Sequence, residues 1–583
     1  MIGRVPDPTP EASLAPSATS SSSGPGVLSR DGDSPLDAQR RRVRVRRAAA
    51  SVVVVLAVLS LVGLVLRRVW VRLTLYQDVM PGLEASSHGS TILLAALLLL
   101  LTARGLRVGH RLSWLVTCVV LGFTAVAHLL HHRHPAPALV VLVAVVWLLT
   151  QWRAFPVLPT RHAVRRAALV LVAAGVALAL VVAAVAALLA REAGVTGLGG
   201  PARTLATAGT ALNLVLVAVV LWGLLSPRAP RALSPAEHLA ERERARRVVS
   251  AHGGGTLDYF ALRDDKDWLF VGHGVVAHSV RNGVCLVSPD PICPPDERGL
   301  VWAEFLDHVA RNGWSVAVVA AGEPWLPVYE ASGLRWVYLG DEATVDCPSF
   351  SLEGKSHKSL RQAVNRVARA GYTTTFHDPT TLGTGQRDAI LTMSDESRRG
   401  EGERGFSMTL SRLFDPHDTG LLLSVTCDPD GRVDAFCQWI PSRDIGGWSL
   451  DVMRRRLDVP DLPNGLVDAT IVATIAELVA RGERGLGLNF AVLRELIEGE
   501  RDSRLDQLVR PVVKKLSEGT QVETLAAFND KYDPRWTRRY VVLDPAEQAA
   551  AQALVVAGAE GVTEIPVIGR FLRGVGTPSR VEP

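Results

Sequence analysis

The stretch GGWSLDVMRRR, residues 446–456, carries the pair with the clearest capacity for chemistry, Asp451 and Arg454. Alternation predicts a strand with Trp448, Leu450 and Val452 on one side, Ser449, Asp451 and Met453 on the other, and Arg454 emerging at its end. A carboxylate so placed can orient an amine or help remove a proton from a hydroxyl, while a guanidinium can anchor a phosphate or stabilise charge growing on an oxygen. The competing reading is a strand-end ion pair of little energetic weight. A second stretch, FNDKYDPRWTRRYVV at 528–542, sets Lys531 and Arg539 with Trp536 and Tyr540 ahead of an apolar strand. It offers two cations for phosphate and two aromatic walls, or else solvated charge and core packing.

A third stretch, FSLEGKSHKSLRQAVNRVARAG at 350–371, predicts a helix over 356–370. Lys358, Arg361, Asn365 and Arg369 recur at steps of three and four and share a face, with Lys355 just ahead, while Leu360, Val364 and Val367 lie on another. A cationic stripe over an apolar seam is either a solvated amphipathic helix or a track for nucleic-acid phosphates.

The elements that must position these residues occupy only the later part of the 583-residue chain, whose net charge is +5 and whose hydrophobic content is 48%. That content exceeds an ordinary soluble composition, and the apolar residues concentrate before position 226. Six runs there approach the ~20 residues of a bilayer-crossing helix: 48–66, 90–103, 112–131, 138–150, 167–190 and 205–225. Arginines between 40 and 47 ahead of the first run favour a cytoplasmic N-terminus, and even-numbered crossings then put Arg104, Arg107, Arg111 and the C-terminal region on the same side. The expected location is thus a cell membrane, with the later domain in the cytoplasm. Between the first two runs Glu84, Ser87 and His88 stand at the mouth of a helix, as cap and interface anchor or as contacts to a lipid headgroup.

The expected organisation is a disordered tail at 1–39, a membrane domain at 40–226, a linker helix at 227–250, α/β units at 251–345 and 346–548, and a C-terminal tail at 549–583. Ser234 and Pro235 open the linker helix and Gly253 closes it. Two successive α/β units of similar size suggest duplication. Six cysteines without CxxC or Cys/His spacing give no metal site, and no organic cofactor is required.

Together these segments resemble the phosphatidylglycerol aminoacyltransferases, the family that includes the lysyl-phosphatidylglycerol synthases. The resemblance rests on the 528–542 signature, the Phe-Ser-Leu-Glu-Gly-Lys lead-in at 350–355, the Asp-x-Met-Arg element at 451–454, and a Glu-x-x-Ser-His segment at 84–88 ahead of Ala103 to Leu106. It implies tandem acetyltransferase-like (GNAT) folds and transfer of an amino acid, lysine or alanine foremost, from aminoacyl-tRNA to a phosphatidylglycerol hydroxyl. It further implies Asp451 and Arg454 in the active site, Lys531, Trp536, Arg539 and Tyr540 as substrate contacts, and Lys355 with the 358–369 stripe on the tRNA. Family members also carry a flippase module of further spans ahead of this point, which the sequence does not show. No synthetase domain is legible either, so the donor is expected from the general tRNA pool. Leu462 to Asp468 lacks the Gly-rich turn with which acetyltransferases hold the coenzyme A pyrophosphate. An acyl-CoA-dependent transferase, or a transporter with a regulatory domain, is the alternative.

Overall fold

The computed structural model of the chain describes residues 35–65, 100–131, 136–159, 161–191, most of 216–225, 227–398, 405–457, 462–492, 494, 521–544 and 549–560. Glu84, Ser87 and His88 lie outside the described residues, as do most of the runs at 90–103 and 205–225. The other four runs are helical, within α1 (Pro35–Val65), α2 (Arg111–His131), α3 (Ala136–Thr150) and α4 (Arg161–Arg191). Among the described residues no helix is long and apolar enough to cross a membrane. The length of α3 alone limits it to about 22 Å, against roughly 30 Å of hydrocarbon.

One boundary moves: α1 starts at Pro35, so residues 35–39 belong to a helix rather than to the expected tail. Its arginines hold the later domain, with Arg42 pairing with Asp307 at 3.2 Å and Arg40 donating to the carbonyl of Glu330 at 3.1 Å. The bridge to that domain is α5 (Pro235–His252), opened by a reciprocal cap in which Ser234 Oγ accepts from the Glu237 amide and Glu237 Oε2 accepts from the Ser234 amide.

The rest is built on one sheet of eleven strands in the order β1-β2-β3-β4-β11-β5-β10-β9-β8-β7-β6. In chain order these are β1 (Asp267–Val271), β2 (Gly274–Arg281), β3 (Val284–Val287), α6 (Arg298–Asn312), β4 (Ser315–Ala321), α7 (Leu326–Ala331) and β5 (Arg335–Asp346). There follow α8 (Lys358–Arg369), β6 (Thr373–His377), α9 (Thr384–Arg398), β7 (Leu422–Cys427), β8 (Val433–Ser442), β9 (Gly447–Arg455), α10 (Leu466–Ala480), β10 (Gly485–Val492), α11 (Gln521–Asp530) and β11 (Arg535–Leu543).

The expected duplication is visible in this order. Three antiparallel strands, a helix, a parallel strand, a helix and a last strand occur as β1 to β5 and again as β7 to β11, with β3–β4 and β9–β10 as the parallel pairs. The last strands are exchanged: β11 pairs with β4, and β5 pairs with β10. Each repeat's sheet is therefore completed by the other repeat's strand, which fuses the two units.

Apolar seams seat the crossover helices. Trp302, Phe305 and Val309 of α6 pack with Val287, Val318 and Tyr540, while Ile471, Ile475 and Leu478 of α10 pack with Leu450, Leu486 and Trp439. Each such side chain contributes about 1.5–3 kcal/mol on burial. The stretch expected as a C-terminal tail opens with a further helix, α12 (Ala549–Ala559), whose Val555 and Val556 cover Leu286, Ala317 and Val319.

Candidate active site

The parallel strands β9 and β10 are bonded over only three registers, Gly447 with Gly485, Trp448 with Leu486 and Ser449 with Gly487. At Gly487 a Cβ would lie 2.8 Å from Ser449 Oγ, so the close approach there requires glycine. Beyond it the register of β10 against β5 shifts, and the strands part. Asp451 stands two residues past the parting.

A bulge re-aims it. Gln438 of β8 pairs with Val452, while its neighbour Trp439 pairs with Leu450, so Asp451 is the extra residue on β9. Simple alternation fails at this point: Leu450 and Met453 join the cluster under α10, and Val452 joins the one with Phe436 and Met393. Asp451 is buried, with Oδ1 accepting from the Leu410 amide at 2.8 Å and Oδ2 from Gln438 Nε2 at 2.7 Å. It thereby fastens the loop 405–420 across the strand. Arg454 is half-buried and donates to the carbonyl of Met453 at 3.0 Å. The strand-end ion pair belongs to Arg456, bound to Asp434 at 3.0 Å and Glu396 at 3.1 Å.

The signature at 528–542 runs from the end of α11 through a turn into β11 and is not gathered at one point. Lys531 Nζ lies 3.2 Å from Asp468 in the first turn of α10 and 4.7 Å from the centroid of Phe528. Tyr532, fully buried, donates to the same carboxylate at 2.8 Å. Trp536 lies under the guanidinium of Arg494, 4.8 Å away, and Arg494 is bound to Asp341 at 2.8 Å. Tyr540 packs in the first repeat's core and donates to Glu323 at 3.2 Å.

Arg539 marks a centre that the sequence did not disclose. It donates to Glu342 Oε2 at 2.6 and 3.0 Å and to Thr256 Oγ1 at 3.1 Å. Burial opposes its charge, yet Glu342 with Asp290 and Asp258 outweighs that and holds its pKa above the ordinary value. Asp258 accepts from the amides of Gly254 and Gly255, and burial raises its pKa. Asp290 accepts from the Gly322 amide at 2.7 Å and Tyr329 Oη at 2.6 Å, and burial pushes it up to about 6. These acids come from segments distant in sequence, Glu342 from β5, Asp258 from the short turn of helix at Asp258–Leu262 and Asp290 from the loop after β3, so no local spacing announces them. The Arg538-Arg539 pair running into apolar Val541 and Val542 was the available signal.

The cationic stripe is formed as expected on α8, with Leu360, Ala363 and Val367 buried beneath. Lys355, Lys358, Asn365 and Arg369 are exposed. Arg361 instead turns back to the carbonyls of Leu352 and Gly354, and Arg369 donates to Asn365 O at 3.1 Å. At the start of α10, Gly465 has φ +100°, and a Cβ there would meet Ala363 Cβ at 2.5 Å, so α8 closes over this helix end.

The α/β repeat pair with exchanged last strands thus sets a bulged carboxylate beside a parallel-strand notch. The chain belongs to the family described as phosphatidylglycerol lysyltransferase, C-terminal, which it matches over residues 246–543. It is 34% identical over 371 residues to the lysylphosphatidylglycerol biosynthesis bifunctional protein LysX of Mycobacterium marinum, covering 61% of this chain and 32% of that protein. It is 32% identical over 365 residues to LysX of Rhodococcus jostii, with the same two shares. The chain thus matches about a third of the length of these relatives. The structure of L-PGS from Bacillus licheniformis aligns with a TM-score of 0.48 at 23% identity, covering 55% of this chain and 96% of that one.

Proposed function

We propose that this chain is a membrane-bound aminoacyltransferase that moves an amino acid, lysine foremost, from aminoacyl-tRNA to a hydroxyl of phosphatidylglycerol. The observation that carries the reading is the family match over 246–543, which spans every strand of the sheet together with Asp451 and Arg454. The repeats are read as acetyltransferase-like units turned to a different donor.

The donor ester is already activated. The lipid hydroxyl attacks its carbonyl carbon, a tetrahedral oxyanion forms, and the tRNA ribose oxygen leaves with a proton. Asp451, oriented by Leu410 and Gln438, suits the positioning of the donor's α-ammonium, and Arg454 suits a phosphate or the oxyanion. The exposed cations of α8 suit the tRNA backbone. Coenzyme A is disfavoured at α10, because the positive end of that helix is already met by its own Asp468, which Lys531 and Tyr532 hold in place. Exposed apolar side chains support a membrane setting: Leu139, Leu142 and Val143 of α3, and Leu169, Val172 and Val176 of α4.

The test is mass spectrometry of lipids from membranes holding this protein, incubated with charged bulk tRNA. The expected result is a new aminoacyl-phosphatidylglycerol that disappears with RNase and with Asp451→Ala. Absence of any such lipid beside detectable coenzyme A binding would overturn the reading.

A further inference from the structure

The amide that meets Asp451 Oδ1 belongs to Leu410, and the turn just before it, 405–409, is held from the first repeat's side of the molecule. Arg263, buried between the short turn of helix at Asp258–Leu262 and β1, closes that turn with one nitrogen. Its Nη1 donates to the carbonyl of Gly405 at 2.7 Å and to that of Thr409 at 3.1 Å. Its Nε donates to Asp265 Oδ1 at 2.8 Å, while Asp265 Oδ2 accepts from Arg281 of β2 at 2.7 Å.

The rest of the turn is seated in the same direction. Phe406 is fully buried and packs with Leu286 of β3 and Val319 of β4. The Ser407 amide donates to Glu560, just past α12, at 3.1 Å. The Leu410 side chain joins the cluster of Val249 and Phe260, so that residue faces the first repeat with its side chain and the second with its amide.

Two carbonyls four residues apart on a single nitrogen fix the curvature of the turn, and with it the direction of the next N–H. That direction matters because a hydrogen bond weakens steeply as it bends. The guanidinium is a rigid fork, so the bond of Nε to Asp265 also fixes where Nη1 points. We propose that Arg263 is a positioning residue for the transfer reaction, acting across the repeat boundary through the 405–409 turn and the Leu410 amide to set the orientation of Asp451. This role rests on the reading of Asp451 given above. A group that only holds the fold lowers activity by the same factor whatever stands at position 451. One that acts through Asp451 has little left to act on once that charge is removed.

The test is a double-mutant cycle of Arg263→Gln with Asp451→Asn in the full chain in membranes, read as kcat for aminoacyl-lipid formation, with hydrogen exchange of the 405–411 segment measured in parallel. Arg263→Gln alone is expected to lower kcat by about 10-fold to 100-fold, the upper figure being the cost of a misplacement of about 1 Å. Beside Asp451→Asn the same change is expected to cost no more than about twofold. Exchange in 405–411 should quicken in both backgrounds. Arg263→Lys keeps the positive charge but not the fork; it is expected to lose less, again only with Asp451 intact, and it carries the cycle if Arg263→Gln melts below the assay temperature. Equal fractional losses in the two backgrounds, or unchanged exchange of 405–411 in a folded variant, overturn the proposal. A wild type that forms no aminoacyl-lipid, with exchange still dependent on Arg263, overturns the transfer reading and the positioning role with it, and leaves a purely structural tie.

Discussion

The two repeats place an aspartate just past the parting of their parallel strands and use it in different ways. In the first, Asp290 takes the amide of Gly322, on the far side of the notch, and the hydroxyl of Tyr329 from the following helix. That acid stitches its own repeat shut. In the second, the donors at 2.8 and 2.7 Å come from the loop 405–420 and from β8, and Gly487 of β10 is the last residue bonded to β9 before the parting. Duplication supplied two equivalent notches, and the same residue type became a structural tie in one and the candidate positioning group in the other.

The comparison breaks first at Arg539, which serves both repeats: it sits on an exchanged strand and neutralises Glu342, with Asp258 and Asp290 around it. Arg539→Met leaves buried carboxylates without a counter-charge, and we expect a loss of about 3–5 kcal/mol. A urea midpoint unchanged from wild type would show that the acids find other compensation. Next comes Asp451→Asn, which keeps the size of the side chain and removes its charge. Aminoacyl-lipid formation is expected to fall by about 10²–10³, equivalent to about 2.7–4 kcal/mol, with only a modest change in melting temperature. A variant that melts early and yet turns over at the wild-type rate would make Asp451 a structural tie like Asp290.

Much of this arrangement was legible in the sequence because it is local. The three-to-four-residue period places the helix at 358–369 within two residues, alternation places a strand in 446–456, and Ser234 with Pro235 marks the start of α5. What was not legible depends on pairing between distant segments. Nothing in 535–543 says that this strand inserts between β4 and β5, so Arg539 could be singled out without its acids. Asp451 was placed on the right strand, but its bulge is set by β8, and alternation read from β9 alone gives the wrong side for Val452 and Met453.

A pH series sharpens the contrast between the two acids. Asp290 holds its proton to about pH 6 in the folded state, against about 3.9 when unfolded. Between those values the folded chain binds a proton that the unfolded chain has released. Its contribution is therefore complete below pH 4 and lost as pH rises through 6, by roughly 3 kcal/mol in all. Asp290→Asn is expected to flatten that part of the stability curve, measured as urea midpoints from pH 4 to 7. An unaltered slope would place the titration elsewhere in the acid cluster.

The smallest effect concerns the helices that precede each repeat. On α5 two of the cations are turned inward, Arg242 to Asp264 at 2.6 Å and Asp415 at 2.9 Å, and Arg246 to Asp418 at 2.9 Å, while Arg244 and Arg247 are exposed. On and just ahead of α8, Lys355 and Lys358 are exposed. If only the second helix meets tRNA, the paired Lys355→Gln, Lys358→Gln variant lowers the salt dependence of tRNA binding by about 1.4–1.8 in the slope of log K against log salt, the release expected from two phosphate contacts. Arg242→Gln should leave that slope alone while lowering the melting temperature, because it removes one of the two arginines that hold Asp415, leaving Arg412 at 3.4 Å. Filter binding across a salt series measures both, and a slope that falls with Arg242 and not with the lysines would move the nucleic-acid surface to the first repeat.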